Sequence, residues 1–163
     1  MPRLEWPAAA SAAKERFDTA IPMLINGETW KIKLGGIIDR VDIKNGIYRI
    51  IDYKTGKDSK DFKGVSSFFD REGRDRNKAA LQTFLYTYVL KQQFDSDIPV
   101  VAGLYDVRNM RKDAGKFDWR FRDTSAGNEP LDHGAVSTMV ADTMDGLVPV
   151  IEEIFSADIP FDQ

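Results

Sequence analysis

The sequence has no cysteine and a single histidine, His133, among its 163 residues. The first absence excludes disulfides, thiol catalysis and thiolate metal sites; the second leaves little room for a histidine-rich metal centre or a Ser-His-Asp triad. Any metal is therefore expected to be a hard cation held by oxygen. Also absent is any run of about 18 apolar residues that could span a membrane. No signal peptide is visible at the N-terminus, so the expectation is a cytoplasmic protein with no membrane partner. What is present is ordinary for a globular domain: 42% hydrophobic and 30% charged residues in a length that suits one domain with a real core.

The net charge of −3 argues against a polyanionic partner until its distribution is considered. Lys54 to Lys91 carries nine Lys/Arg against five Asp/Glu, and Arg108 to Arg122 carries six against two. From Asp123 onward there are nine acids and no Lys or Arg. An acidic C-terminal segment thus masks two basic ones, a weak pointer to a polyanionic substrate, since solvated faces commonly show such runs.

The most informative stretches are Gly36-Ile-Ile-Asp39-Arg-Val-Asp42 and Ile50-Ile-Asp52-Tyr-Lys54-Thr-Gly56, separated by Asn45-Gly46. Asn-Gly favours the two-residue hairpin turn because both positions need positive φ. With that turn at the tip, Lys44 faces Ile47, Asp42 faces Arg49, and Asp39 faces Asp52. Directly opposed like charges destabilise a sheet, so the last pair calls for a compensating partner, and a divalent cation would supply one. Strand alternation puts Asp52 and Lys54 on one face, with Tyr53 on the other. Two carboxylates with an ammonium two residues on can hold Mg²⁺ and set a cation beside whatever the metal binds. Any one of these residues alone would read as a solvated strand-end acid or a surface lysine; together they favour a site.

Along the rest of the chain, Ala8 to Ala13 could form a short helix or be loosely ordered. Arg16 to Ile25 reads as a strand, with Pro22 best placed on a sheet edge, followed by a turn at Asn26-Gly27 and a long strand from Thr29 to Lys44. Gly35 and Gly36 interrupt that strand where a bulge or close backbone approach is plausible. Tyr48 to Tyr53 completes an antiparallel meander. Thr55 to Arg76 then runs without a clear element, either a gate over the carboxylate site or a disordered surface insertion. Asn77 to Phe94 is the clearest helix, with Leu81, Phe84, Leu85, Tyr88 and Val89 as its apolar stripe and Gln82 and Tyr86 along one margin. A buried strand is expected over Pro99 to Val107 and an exposed one over Lys116 to Arg122. Pro130 to Gly134 reads as a turn with His133 at the surface. A last helix spans Ala135 to Phe155, kinked or split at Pro149.

In order and spacing, Gly36-Ile-Ile-Asp-Arg-Val-Asp42, Ile51-Asp-Tyr-Lys-Thr-Gly56 and Gln82-Thr-Phe-Leu-Tyr86 resemble the PD-(D/E)xK nuclease superfamily, specifically its RecB/AddB-type nuclease domains. The resemblance implies an α/β fold with a mixed sheet, a restriction-endonuclease-like core in which a meander is followed by helix, strand and C-terminal helix. It implies a Mg²⁺- or Mn²⁺-dependent deoxyribonuclease of DNA repair or recombination, partnered by DNA and a helicase subunit or domain. Asp39, Asp52 and the backbone carbonyl of Tyr53 become metal ligands. Lys54 becomes the positioner of the attacking water, and Gln82 and Tyr86 line the site. The family's further upstream ligand has no clear equivalent; Glu15 is the best candidate. AddB-like relatives continue into cysteines that bind an iron-sulfur cluster. Because this sequence stops near that point, residues 1–163 are expected to be one nuclease-like domain of a longer protein, and a cluster would belong only to that parent. Two other readings stay open: a nuclease-fold module without activity that binds DNA or a helicase, and a purely structural α/β domain.

Overall fold

The structure, a computed structural model, describes residues 12–73, 76–94, 97–107 and 118–156, with side chains from Arg16 onward. Three strands open the fold: β1 (Ala12–Ile25), β2 (Glu28–Lys44) and β3 (Ile47–Lys54). Both connecting turns are Asn-Gly, with φ of 51° and 82° at Asn26 and Gly27 and 54° and 76° at Asn45 and Gly46. These positive values suit the twist of a tight hairpin. They fix the register that brings Lys44 opposite Ile47, Asp42 opposite Arg49 and Arg40 opposite Ile51. Ala12 and Ala13 belong to β1, paired with Val41 and Arg40, so this part of the alanine-rich segment is neither helical nor loose. Pairing to the far end of β2 extends the strand beyond its expected start at Arg16.

After β3 the chain makes β4 (Asp61–Phe62), a short 3-10 turn at Val65–Phe68, and helix α1 (Lys78–Gln93). It then returns as β5 (Val100–Asp106), which lies parallel to β3 and completes a four-stranded mixed sheet ordered β1-β2-β3-β5. β1 is an edge, which is where Pro22 can lack a donor without breaking a ladder. β6 (Arg122–Asp123) pairs parallel with β4, and helix α2 (His133–Ile154) ends the described fold. This is the α/β, restriction-endonuclease-like arrangement expected from the sequence.

α1 and α2 pack against each other and against the sheet, and the core lies between them. Phe84 meets Phe62, Phe68 and Phe121, with ring centroids 5.6, 6.1 and 5.6 Å apart, beside Ala102, Leu104 and Val136. Val89, Leu90 and Phe94 close over Phe17, Val41 and Ile50, while Ile21, Met23 and Ile25 of β1 meet Met144 and Ile151 of α2. In its described part the segment after Lys54 is therefore no disordered insertion: Phe62, Val65 and Phe68 are buried, and Arg122 grips Asp61 at 2.7 and 3.2 Å.

Three further expectations change. His133 and Gly134 are helical, because Asp132 accepts from the Ala135 amide at 2.8 Å and starts α2 there, although His133 stays exposed. Pro149 does not split α2; it sits on the exposed side, where the carbonyl it leaves without a donor can reach water. The strand expected over Lys116 to Arg122 is, in its described part, a cover on β5. There Phe121 is fully buried and Leu104 donates to the Trp119 carbonyl at 2.7 Å. Ala8 to Ser11 and Arg108 to Phe117 lie outside the described residues. Among the described residues no helix is long and apolar enough to cross a membrane.

Candidate active site

The hairpin register delivers Asp39 and Asp52 to its open end. The β2–β3 ladder closes at Arg40 and Ile51, and one step further Asp39 turns its Oδ2 to accept from the Tyr53 amide at 3.1 Å. Asp52 is buried, and its Oδ2 lies 2.9 Å from the Lys54 ammonium, as strand alternation requires. Lys54 also donates to Gln82 Oε1 at 3.1 Å, and Gln82 Nε2 donates to the Tyr86 hydroxyl at 2.7 Å. A continuous row thus runs from the strand pair onto the N-terminal half of α1. Tyr86 is seated by Gly36, where any Cβ would lie 2.5 Å from the tyrosine ring.

The electrostatics of the row are lopsided. Burial pushes the Asp52 carboxyl above its ordinary range; the Lys54 ammonium opposes this, and the negative charges of Asp39 and Asp58 reinforce it. Burial also works to lower Lys54, yet the contact with Asp52 and the fields of Asp58 and Asp39 outweigh it and hold the ammonium above the ordinary lysine range. Both shifts favour bound protons. Three carboxylates surround one cation, and the locality is short of positive charge.

That shortage, and one atom in particular, fit a divalent ion. Asp52 Oδ2 is buried and meets only the Lys54 ammonium, 2.9 Å away and poorly aligned for a hydrogen bond. A buried carboxylate oxygen so incompletely satisfied keeps lone-pair capacity that a cation can take up. Among the described residues no three His, Cys, Asp or Glu side chains form a ligand group by themselves. A cation here would rest on Asp39, Asp52, the Tyr53 carbonyl and water, a donor set that Mg²⁺, which keeps much of its hydration, accepts.

Asp42, the second acid of its motif, is bound up elsewhere. Arg40 reaches it at 2.7 Å through Nε and 2.6 Å through Nη2, and Arg49 holds its other oxygen. Its part is to pin the hairpin. Glu15 pairs through its main chain with Ile38 on β2, and its side chain is outside the described residues. Asp58 was not singled out by sequence reasoning. It folds back so that a Cβ on Gly56 would lie 2.8 Å from its Oδ2, and its charge acts on both Asp52 and Lys54. An acid two residues past a glycine, just after the lysine, was the available signal.

The family model of the PD-(D/E)XK nuclease superfamily matches residues 3–163, nearly the whole chain. The chain belongs to the PD-(D/E)XK nuclease superfamily. PD-(D/E)XK nucleases generally use divalent metals. A solved structure described as "Crystal structure of SSO0001" aligns over 83% of this chain at 16% identity, with a TM-score of 0.30. The alignment covers 50% of that structure's chain, so this chain spans about half its length. No curated protein matches.

Proposed function

We propose that this PD-(D/E)XK chain is a metal-dependent DNA nuclease domain of RecB/AddB type. In this reading it hydrolyses phosphodiester bonds in DNA repair or recombination, in the cytoplasm, as one domain of a longer protein that works beside a helicase. The observation that carries the catalytic part is the row Asp52–Lys54–Gln82–Tyr86, in which an ammonium joins a buried acid to an amide that a tyrosine holds in turn. The RecB/AddB assignment, and with it the helicase, rests on the order and spacing of the three motifs in the sequence.

In this reading Asp39, Asp52 and the Tyr53 carbonyl hold Mg²⁺ or Mn²⁺, which polarises the phosphate and activates water when bound. Lys54 then does two things for which its place suits it: it orients the attacking water and offsets charge that builds on the phosphorane oxygens. Gln82 keeps the ammonium from swinging toward solvent, and Tyr86 keeps Gln82 in the orientation that presents Oε1 to Lys54.

The test is calorimetric titration with Mn²⁺ together with cleavage of single- and double-stranded DNA. Wild type should bind the ion and cut; Asp52→Asn should do neither while keeping its circular dichroism. A second reading, a nuclease-fold module that no longer cuts, is favoured by the lack of a third acidic ligand among the described residues. Mn²⁺-independent DNA binding without cleavage by wild type would establish it.

A further inference from the structure

Where the β1–β2 hairpin turns, its tip meets the end of α2, and an open groove of about 470 Å³ runs between them. Leu24, Ile25 and Pro149 supply its apolar surface; Asn26, Glu152, Glu153 and Ser156 supply its polar one. The place is remote from the row of polar residues, since Glu28 opens β2 eleven residues before Asp39, roughly 36 Å of strand. Leu24 is 68% exposed, and beside it Trp30 and Phe155, 47% and 41% exposed, hold their rings 6.0 Å apart. Open apolar surface rimmed by polar groups is the mark of a protein-docking site. The electrostatics are unmet as well. Glu152 and Glu153 stand in the last turn of α2, which has no basic residue, so two acids occupy the negative end of a 22-residue helix, where a cation belongs. Arg71 pairs with Glu153, whereas Glu152 is exposed and makes no ion pair among the described residues.

We propose that this groove docks a partner protein through a segment that presents an arginine between apolar residues. The arginine stem covers Leu24, Ile25 and Pro149, its guanidinium meets Glu152 and the negative end of α2, and the flanking apolar side chains cover Trp30 and Phe155. A long basic side chain joins an apolar stem to a charged head, which is the pair of surfaces the groove presents. Arginine suits it better than lysine because its planar head also stacks on exposed rings. Charge decides against the other occupants. DNA and anionic lipid headgroups are repelled by Glu152 and Glu153. A second copy seated symmetrically sets two acidic helix ends against each other. The seven residues that follow Ser156 include Asp158 and Asp162 and no Lys or Arg, so they share the sign of the groove. A basic segment supplies the charge that the end of α2 lacks. None of these residues belongs to the polar row, so the inference stands apart from the nuclease reading.

The experiment measures fluorescence anisotropy of labelled peptides bound to the full chain: one repeating leucine-arginine-serine, one with glutamate in place of arginine, and one with serine in place of leucine. The first should bind about tenfold tighter than either control, because it alone offers both the charge and the apolar surface. Glu152→Arg should weaken it about tenfold by setting like charges together, and Leu24→Ser about fivefold by removing part of one covered leucine. Both substitutions change exposed side chains, so thermal melting should stay that of wild type. Asp145→Arg makes the same charge change at an exposed place on α2 outside the groove and should leave binding as it was. Equal binding of the three peptides, or an Asp145→Arg loss as large as that of Glu152→Arg, overturns the proposal, since a general attraction to the acidic segment then explains the affinity. Sedimentation equilibrium closes the remaining case: a wild-type dimer that Leu24→Ser dissolves overturns the proposal by giving the groove to a second copy of the chain. Failure of the nuclease reading would look different, because loss of Mn²⁺ binding and cleavage leaves all these affinities unchanged.

Discussion

Gly36 of β2 and Tyr86 of α1 are in such close contact that a Cβ on the glycine would lie 2.5 Å from the tyrosine Cε1 and 2.8 Å from its hydroxyl. The ring cannot give way cheaply, because its hydroxyl is held by Gln82 and its edge by the sheet. One missing methyl group thus sets where the helix margin stands relative to the carboxylates.

Gly36→Ala should therefore lower stability by about 1–3 kcal/mol, the usual range for overpacking, and should depress cleavage as well. Urea denaturation measures the first and a nuclease assay the second. In a double-mutant cycle, Tyr86→Leu should restore much of the stability lost to Gly36→Ala while leaving activity low. Additive effects of the two substitutions would mean that the contact is not the cause.

Lys54→Met keeps the aliphatic stem and removes the ammonium. Cleavage in Mn²⁺ should fall by about 10²–10³-fold, the range for losing one positioned electrostatic group, with the far-ultraviolet circular dichroism unchanged. A variant that cuts DNA as wild type does would remove Lys54 from the mechanism.

Asp42→Ala should act the other way round. It leaves the partly exposed Arg40 and Arg49 side by side without the buried carboxylate they share, at a cost of about 3 kcal/mol, the lower end for breaking a buried ion pair. Mn²⁺ binding by the folded fraction should survive. Loss of metal affinity out of proportion to stability would show that Asp42 belongs to the site after all.

Asp132 caps α2, and its bond from the Ala135 amide holds its carboxyl below the ordinary carboxylate range. A depressed folded-state pKa contributes stability above the unfolded value and loses it as the pH falls through the folded one. Asp132→Ala should thus lower the thermal midpoint at neutral pH, and its deficit against wild type should shrink once the pH drops below the ordinary carboxylate range. A deficit independent of pH would assign the effect to helix propensity instead.

What could be foreseen from sequence follows from locality. The hairpin register was legible because two Asn-Gly turns leave little freedom, and from it came the places of Asp39, Asp52 and Lys54. The edge position of Pro22 and the extent of α1 were legible for the same kind of reason. The segment after Lys54 was not, because Phe62, Val65 and Phe68 are buried by Phe84 and Phe121, partners no local pattern names. Thr83 and Thr87 were missed for another reason. Hydropathy counts them as polar, yet each returns its hydroxyl to a carbonyl one turn back, at 2.8 and 2.9 Å, and both are fully buried. The link from Lys54 to Gln82 became visible in the sequence only through the resemblance of the motifs.

That link joins residues 28 apart in the chain. The acids are carried by one hairpin, whereas the ammonium is held both by Asp52 on that hairpin and by Gln82 on α1. Loosening of α1 that spares the hairpin would leave the two acids in place and release the lysine from Gln82, so the site would lose its order from the helix side first.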